Sequence, residues 1–271
     1  MPVEITSRKN EIVKEYLRLA GSPAYRCEKH RFSAEGARLC TDAALSGITV
    51  AALMYTDSAS QKYGPYLEKI RTASENEYII SPAVAQYISD TKHPQGIFCV
   101  CISPEMGSGF FEKTKGRHLV VLENIQDPAN LGAVLRTAEA LGIGGVILAG
   151  KCCDPMSPKV LRTSMGALFR LPLLHSSGAS EIIAELNAIG YATFAAVPDN
   201  SAHPVTSVCF NKPSAAVIGN EGNGLTEEVK HACTASITIP MKGRAESLNA
   251  AASAAILMWE MMRDCLGDSD R

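Results

Sequence analysis

The sequence predicts an α/β protein whose C-terminal half is built on a parallel sheet, preceded by a smaller α/β unit. Three observations carry this prediction. From residue 118 onward, short apolar runs alternate with segments of helical period, the pattern of a parallel sheet covered on both faces. Polar and glycine-rich clusters follow directly on apolar runs, where open α/β sheets place their ligands. Between the halves, Ser103 to Gly116 mixes Pro, Gly, Ser and charge without periodicity and reads as a linker. The implied boundaries are a first domain over 1–104, a linker over 105–116 and a second domain over 117–271.

In chain order, Thr6 or Ser7 can cap a helix whose apolar positions Ile12, Tyr16 and Leu19 share one face. A second helix covers Glu35–Leu45. Strands fit Thr49–Met54, Tyr78–Ile80 and Ile97–Cys101, with helices at Tyr63–Thr72 and Ala83–Ser89. In the second half, strands fit His118–Leu122, Gly145–Leu148, Thr193–Val197, Ala215–Ile218 and Ser236–Ile239. Helices fit Asn130–Leu141, Pro158–Met165, Ala179–Ile189, Thr226–His231 and Glu246–Arg263. The last of these is apolar on both sides. Leu248, Ala252, Ala255, Trp259 and Met262 form one stripe, and Ala251, Ala254, Leu257, Met258 and Met261 lie opposite. Such a helix needs cover on both sides, one from its own sheet and the other from a second subunit.

Composition sets the outer bounds. Of 271 residues, 46% are hydrophobic and 20% charged, enough apolar surface for a large core, which excludes a disordered chain. Every apolar run is interrupted before it reaches membrane-spanning length, and Met1-Pro2-Val3-Glu4 does not begin as a secretory signal does. The nine cysteines show neither a Cys-x-x-Cys pair nor zinc-type His spacing, so no metal is expected, and the thiols read as reduced and mostly buried in a cytoplasmic protein. The net charge of −2 alone speaks against a nucleic-acid partner. Its distribution says otherwise. Residues 8–38 hold eight basic side chains (Arg8, Lys9, Lys14, Arg18, Arg26, Lys29, Arg31, Arg38) against four acidic ones, offset by acids elsewhere such as Asp264, Asp268 and Asp270. That segment reads either as a solvated helix face or as a phosphate-facing surface.

Three clusters carry chemistry. The first runs from Glu123 through Asn130 to Arg136 and Thr137 at a strand-to-helix junction; Asn130 can cap the helix there. The second, Ile218-Gly-Asn-Glu221-Gly-Asn-Gly224-Leu, places three glycines after an apolar strand, so that backbone can approach a ligand closely. Its carboxylate argues for a ligand with hydroxyl or amine donors rather than a bare pyrophosphate. The third, Ile239-Pro-Met-Lys-Gly243-Arg-Ala-Glu-Ser247-Leu-Asn249, delivers Ser247 and Asn249 to a helix start, where Ser247 can act as the cap. No G-x-G-x-x-G follows the first strand of this half, which leaves a dinucleotide-dependent oxidoreductase without its fingerprint.

In this order and at these spacings, the three clusters closely resemble the motifs of the SpoU (TrmH-type) RNA methyltransferases of the SPOUT class, over roughly Leu119–Arg263. Lys29-His-Arg-Phe-Ser-Ala-Glu35-Gly36-Ala-Arg38 resembles the start of the ribosomal-protein-like substrate-binding domain that precedes many of these enzymes. Ser33-Ala34 departs from it, since relatives are usually more apolar at those positions.

The resemblance implies transfer of a methyl group from S-adenosyl-L-methionine to a ribose 2′-hydroxyl of RNA. It also implies a homodimer formed through the C-terminal domain, and a parallel α/β domain tied in a deep trefoil knot, which generic folding rules would not suggest. Matching positions set the cofactor against Ala196, Val197, Gly219, Asn220, Glu221, Gly224, Ile239, Met241, Leu248 and Asn249. Arg136 matches the family's catalytic arginine, and Asn130, Glu221, Ser247 and Asn249 match the polar site around it. Arginine stays protonated, so a role in holding the phosphate-ribose unit and stabilising alkoxide charge is chemically easier than general-base work. Arg8, Lys9, Arg26, Lys29, Arg31 and Arg38 are the candidate RNA contacts. The separate N-terminal domain favours rRNA over tRNA as substrate. The competing reading, a non-catalytic RNA-binding or ribosome-assembly factor, would be expected to lack Arg136, Asn249 or the Gly219–Gly224 loop, and all are present.

Overall fold

The computed structural model describes residues 2–199 and 201–263. Asp264, Asp268 and Asp270 lie outside the described residues. The chain forms two compact units, one of residues up to Pro104 together with Asp154–Phe169, the other of Glu105–Cys153 and the residues from Arg170 onward.

The first unit contains β1 (Val3–Ile5), α1 (Glu11–Gly21), α2 (Pro23–Lys29), β2 (Arg31–Glu35), α3 (Ala37–Leu45), β3 (Val50–Tyr55), α4 (Asp57–Lys62), α5 (Gly64–Arg71), β4 (Glu77–Ile80), α6 (Pro82–Ile88) and β5 (Ile97–Ile102). Its sheet has the order β1-β4-β3-β5-β2, with β5 antiparallel to both neighbours and the remaining pairs parallel. The cap of α1 is Asn10, whose side chain accepts from the Ile12 amide at 2.9 Å, in place of Thr6 or Ser7. Val13, Tyr16 and Leu19 form the buried face, and the Tyr16 ring meets Phe98 edge-on at 5.6 Å. Glu35 ends a strand instead of opening a helix, and Gly36, at φ +99°, makes the turn into α3. Cys40, Cys99 and Cys101 are buried as expected, whereas Cys27 is exposed.

Two features of this unit are not legible in the sequence. By its contacts the segment of residues 154–169, with α9 (Pro158–Ser164), groups with this unit although in chain order it follows Gly145–Ala149, a strand of the second. The second concerns Arg26. Arg26, expected to face RNA, is only 5% exposed; it donates to the Leu19 carbonyl at the end of α1 and pairs with Asp154 at 2.6 Å. A buried guanidinium needs an anion beside it, and Asp154 supplies one. Phe169 then stacks on Phe32 at 5.7 Å.

The second unit contains α7 (Phe110–Thr114), β6 (Leu119–Glu123), α8 (Pro128–Leu141), β7 (Gly145–Ala149), β8 (Leu173–Ser176), α10 (Ala179–Ala188), β9 (Ala192–Ala196), β10 (His203–Pro204), β11 (Ser214–Ile218), α11 (Glu227–Ala232), β12 (Ala235–Thr238) and α12 (Ala250–Met262). Its sheet has the order β10-β12-β9-β11-β6-β7-β8, and every pair is parallel. The expected linker is not loose chain. Phe110 is buried in the core with Leu119 and Ile147, and the Tyr191 hydroxyl donates to the Thr114 carbonyl at 3.0 Å. Three caps place the functional loops. Asp127, not Asn130, caps α8; Thr226 caps α11; and Asn249, not Ser247, caps α12 by accepting from the Ala251 and Ala252 amides.

Candidate active site

After β6 the chain runs outward through β7 and β8, whereas β11 lies on the other side of β6. The carboxyl ends of β6 and β11 therefore flank a topological switch point, the place where open α/β sheets form a ligand crevice. The loop from Glu123 to Asp127 leaves β6 there, and the loop from Gly219 to Gly224 leaves β11.

A chain of side-chain hydrogen bonds crosses this point. The Asn249 amide donates to Asn130 Oδ1 at 3.0 Å, and Asn130 donates onward to Glu221 Oε1 at 2.8 Å. Asn130 is buried within the first turns of α8, so its amide is available to the site because Asp127 does the capping. Asn249 shares its own side chain between this bond and the first amides of α12. Three of the five residues expected in the catalytic set are thus joined, one from each sequence cluster.

The glycine loop is shaped by Asn220. Its backbone pairs with that of Gly224 in both directions, its Oδ1 accepts from the Gly222 and Asn223 amides, and its amide donates to the Asn124 carbonyl at 2.9 Å. A Cβ on Gly219 would stand 2.3 Å from the Gly224 carbonyl carbon, so no side chain fits there. Gly224 takes φ +67°, a conformation that glycine adopts without strain. Just beyond, buried Glu123 accepts from the Thr226 amide at 3.1 Å and its hydroxyl at 2.9 Å, which fixes the exit of the loop to β6. Cys152 lies nearby; burial pushes its thiol up, and it donates to the Leu122 carbonyl at 3.3 Å.

Under this loop lies a cavity of about 330 Å³. Ala196, Val197, Gly219, Asn220, Glu221, Gly224, Ile239, Met241 and Leu248 all line it, as does Ser247. Asn249 lies at its edge, holding Asn130. Ile218, Ile239, Leu248 and Leu257 give apolar walls, and the strand ends and glycine loop supply main-chain donors and acceptors. That mixture suits a ligand with a flat apolar face and a polar rim, and the volume falls within the range of small-molecule sites. Lys230 also lines the cavity, and the three clusters gave no hint of it because it sits on α11.

Arg136 is placed differently. It lies six residues beyond Asn130 on α8, about 9 Å further along the axis. It is exposed, does not line the cavity, and has no ion pair or hydrogen-bond partner among the described residues. In the first unit, Arg8, Lys9, Lys29 and Arg38 are exposed, whereas Arg31 is committed to Glu15 at 2.8 Å. Lys29 pairs with its neighbour Glu28, and Arg8 lies over the Tyr87 ring.

Comparison with known proteins agrees with this geometry. Residues 117–259 match the model of the SpoU rRNA Methylase family, and residues 10–99 match an MRM3-like substrate binding domain. The chain is 30% identical to the 23S rRNA (guanosine(2553)-2′-O)-methyltransferase RlmP of Bacillus subtilis, over 95% of this chain and 98% of that protein. The AdoMet-bound rRNA methyltransferase from Sinorhizobium meliloti superposes with a TM-score of 0.86 at 28% identity, over 97% of this chain and 98% of that one. The SpoU methyltransferase AviRb from Streptomyces viridochromogenes, in complex with AdoMet, superposes at 0.81 and 26% identity, over 95% and 100%. Fold, cavity and neighbours together define a methyltransferase of the SPOUT class that uses S-adenosyl-L-methionine. Within that class the chain belongs to the SpoU rRNA methylase family.

Proposed function

We propose that the protein methylates a ribose 2′-hydroxyl of ribosomal RNA in the cytoplasm. The observation that carries this reading is the Asn249–Asn130–Glu221 chain at the edge of the cavity, which joins the three motif loops into one polar wall. The name and 95% coverage of the Bacillus subtilis relative support the choice of rRNA and of the 2′ position.

Bound S-adenosyl-L-methionine supplies an electrophilic methyl group. The chain's own residues supply alignment and charge. Ile218, Ile239 and Leu248 give the cavity apolar walls against which a bound cofactor can bury its flat face. Asn130 holds the Glu221 carboxylate in place, and Ser247 offers a hydroxyl at the cavity wall. Arg136, cationic and without a partner among the described residues, is free to hold the phosphate of the target nucleotide and to stabilise alkoxide charge on the attacking oxygen. The exposed Arg8, Lys9, Lys29 and Arg38 of the first unit supply phosphate contacts, while Arg26 is buried on Asp154 and the half-exposed Arg31 pairs with Glu15.

We further assign the open side of α12 to a second copy of the chain. Ala252, Ile256 and Trp259 recur on its solvent side, and Trp259 is 50% exposed on a helix whose other face is core. The SPOUT knot belongs to the same reading. It is supported by the strand order, in which β11 enters between β6 and β9, and by α12 packing back on α8.

The direct test incubates the protein with labelled S-adenosyl-L-methionine and rRNA from a strain lacking the gene. A 2′-O-methyl group leaves an alkali-resistant dinucleotide, because the attacking hydroxyl is blocked. Label in that dinucleotide supports the reading; label confined to alkali-labile nucleotides overturns it.

A further inference from the structure

The glycine loop has a second side. Across it from the cofactor cavity, the carboxyl ends of β6, β7, β8 and β11 surround a groove of about 590 Å³. Asn220, Asn223 and Gly224 line both spaces, so a single loop is the wall between them. We propose that this groove receives the base of the nucleotide whose ribose is methylated. The assignment rests on the reading of the chain as an RNA methyltransferase.

The groove is built on a fixed frame. Asn124 takes φ +55°, in the left-handed region that asparagine adopts more readily than other non-glycine residues. Its amide donates to the Ala149 carbonyl at 3.0 Å, its Oδ1 accepts from the Lys151 amide at 2.7 Å, and its carbonyl accepts from Asn220 at 2.9 Å. Gly150 completes the fit, since a Cβ there would stand 2.5 Å from Asn124 Oδ1. One residue thus ties together the ends of β6, β7 and β11, and the glycine loop shared with the cofactor cavity is part of the tie.

The lining chemistry selects the ligand. Gln126, Ser177 and Asn223 offer neutral amides and a hydroxyl, Glu181 and Glu228 offer carboxylates, and Lys151 adds one ammonium at the rim, while the Thr226 hydroxyl is taken up by Glu123. Ser180 donates its one proton to Glu228 at 2.8 Å, and Glu181 lies 3.2 Å from the same hydroxyl, so the two acids share one side of the groove. Carboxylates repel phosphate but accept from the amino groups of bases. No aromatic side chain lines the groove among the described residues, so a base here is read by hydrogen bonds along its edge, not by stacking. Unpaired RNA can splay a base into such a space, and enzymes that modify nucleotides commonly take the target out of its stack. A base seated in the groove has its ribose at the glycine loop, beside the wall of the cofactor cavity.

Gln126 and Ser177 are exposed and make no hydrogen bond within the protein among the described residues, so filling the groove from them leaves the fold intact. The test crosslinks the full-length chain, with S-adenosyl-L-homocysteine bound, to rRNA from a strain lacking the gene, using short-wave ultraviolet light. Crosslinked peptides are mapped by mass spectrometry for the native chain and for Gln126→Leu combined with Ser177→Leu. The expected result is crosslinks within residues 123–126 or 177–181 that fall by about tenfold in the variant, while affinity for S-adenosyl-L-homocysteine by calorimetry stays within about twofold. Crosslinks confined to other peptides, or unchanged in the variant, overturn the proposal. So does a parallel loss of product affinity, which would assign the groove to the cofactor. A native chain that binds the product but crosslinks to no RNA sinks the RNA reading and this assignment with it.

Discussion

Asn130 spans two partners with one amide, accepting from Asn249 and donating to Glu221. Asn130→Asp keeps the shape but replaces the donor with an acceptor that faces a carboxylate. Unfolding free energy should fall by about 1–3 kcal/mol, and affinity for S-adenosyl-L-homocysteine should fall with it, by urea denaturation and calorimetry. If both stay at native values, the chain of side chains does not organise the site. A second residue predicts the opposite sign. Ser33 is 2% exposed, and its hydroxyl has no hydrogen-bond partner among the described residues. Ser33→Ala removes an unsatisfied polar atom and should raise stability by about 1 kcal/mol, seen as a higher melting temperature. The sequence already marks Ser33 as a departure from the more apolar pattern of related domains, and its burial gives that departure a physical meaning. Asn130 was legible as a member of the site but not in its local role. An asparagine at a strand-to-helix junction reads as a cap, and only a partner 91 residues away in sequence distinguishes the two.

At the scale of elements, β6 and β11 meet through a titratable group. His118, just before β6, accepts from the Ser214 amide at 3.2 Å, and burial holds its pKa below the usual 6.5. The folded protein therefore keeps His118 neutral at a pH where the unfolded chain binds a proton. Stability is complete above about pH 6.5 and falls as pH drops through that value, because the unfolded state then takes up more protons. Melting temperatures between pH 8 and pH 5 should show this loss, and His118→Gln should flatten it; equal slopes in both proteins would remove His118 as the cause. The main apolar strands were readable from composition because strands buried on both faces are continuous apolar runs. The marginal elements were not. β8 is four residues with one buried position, and β10 is two residues with none. α7 was hidden by the Gly and Ser around it, and its place depends on Gly145, where a Cβ would come within 2.8 Å of the Phe110 ring.

For the whole molecule, the net charge of −2 is a poor guide to partners because basic residues are divided between surface and interior. Arg26 illustrates the limit of reading a charge run as a surface. Its carboxylate partner, Asp154, lies 128 residues away, within a segment that sequence order assigns to the other domain. The open apolar stripe on α12 makes a prediction of its own. Sedimentation velocity at micromolar concentration should find the native chain as a dimer and Trp259→Glu as a folded monomer; a native monomer would contradict the assignment of that stripe. The most direct test of the central claim maps 2′-O-methyl groups in total rRNA from a strain lacking the gene, complemented with either the native chain or Arg136→Ala. One 2′-O-methyl signal should be absent from the deletion strain and restored by the native chain. It should not be restored by Arg136→Ala, although that variant binds S-adenosyl-L-homocysteine normally. An rRNA methylation map identical with and without the gene would contradict the account.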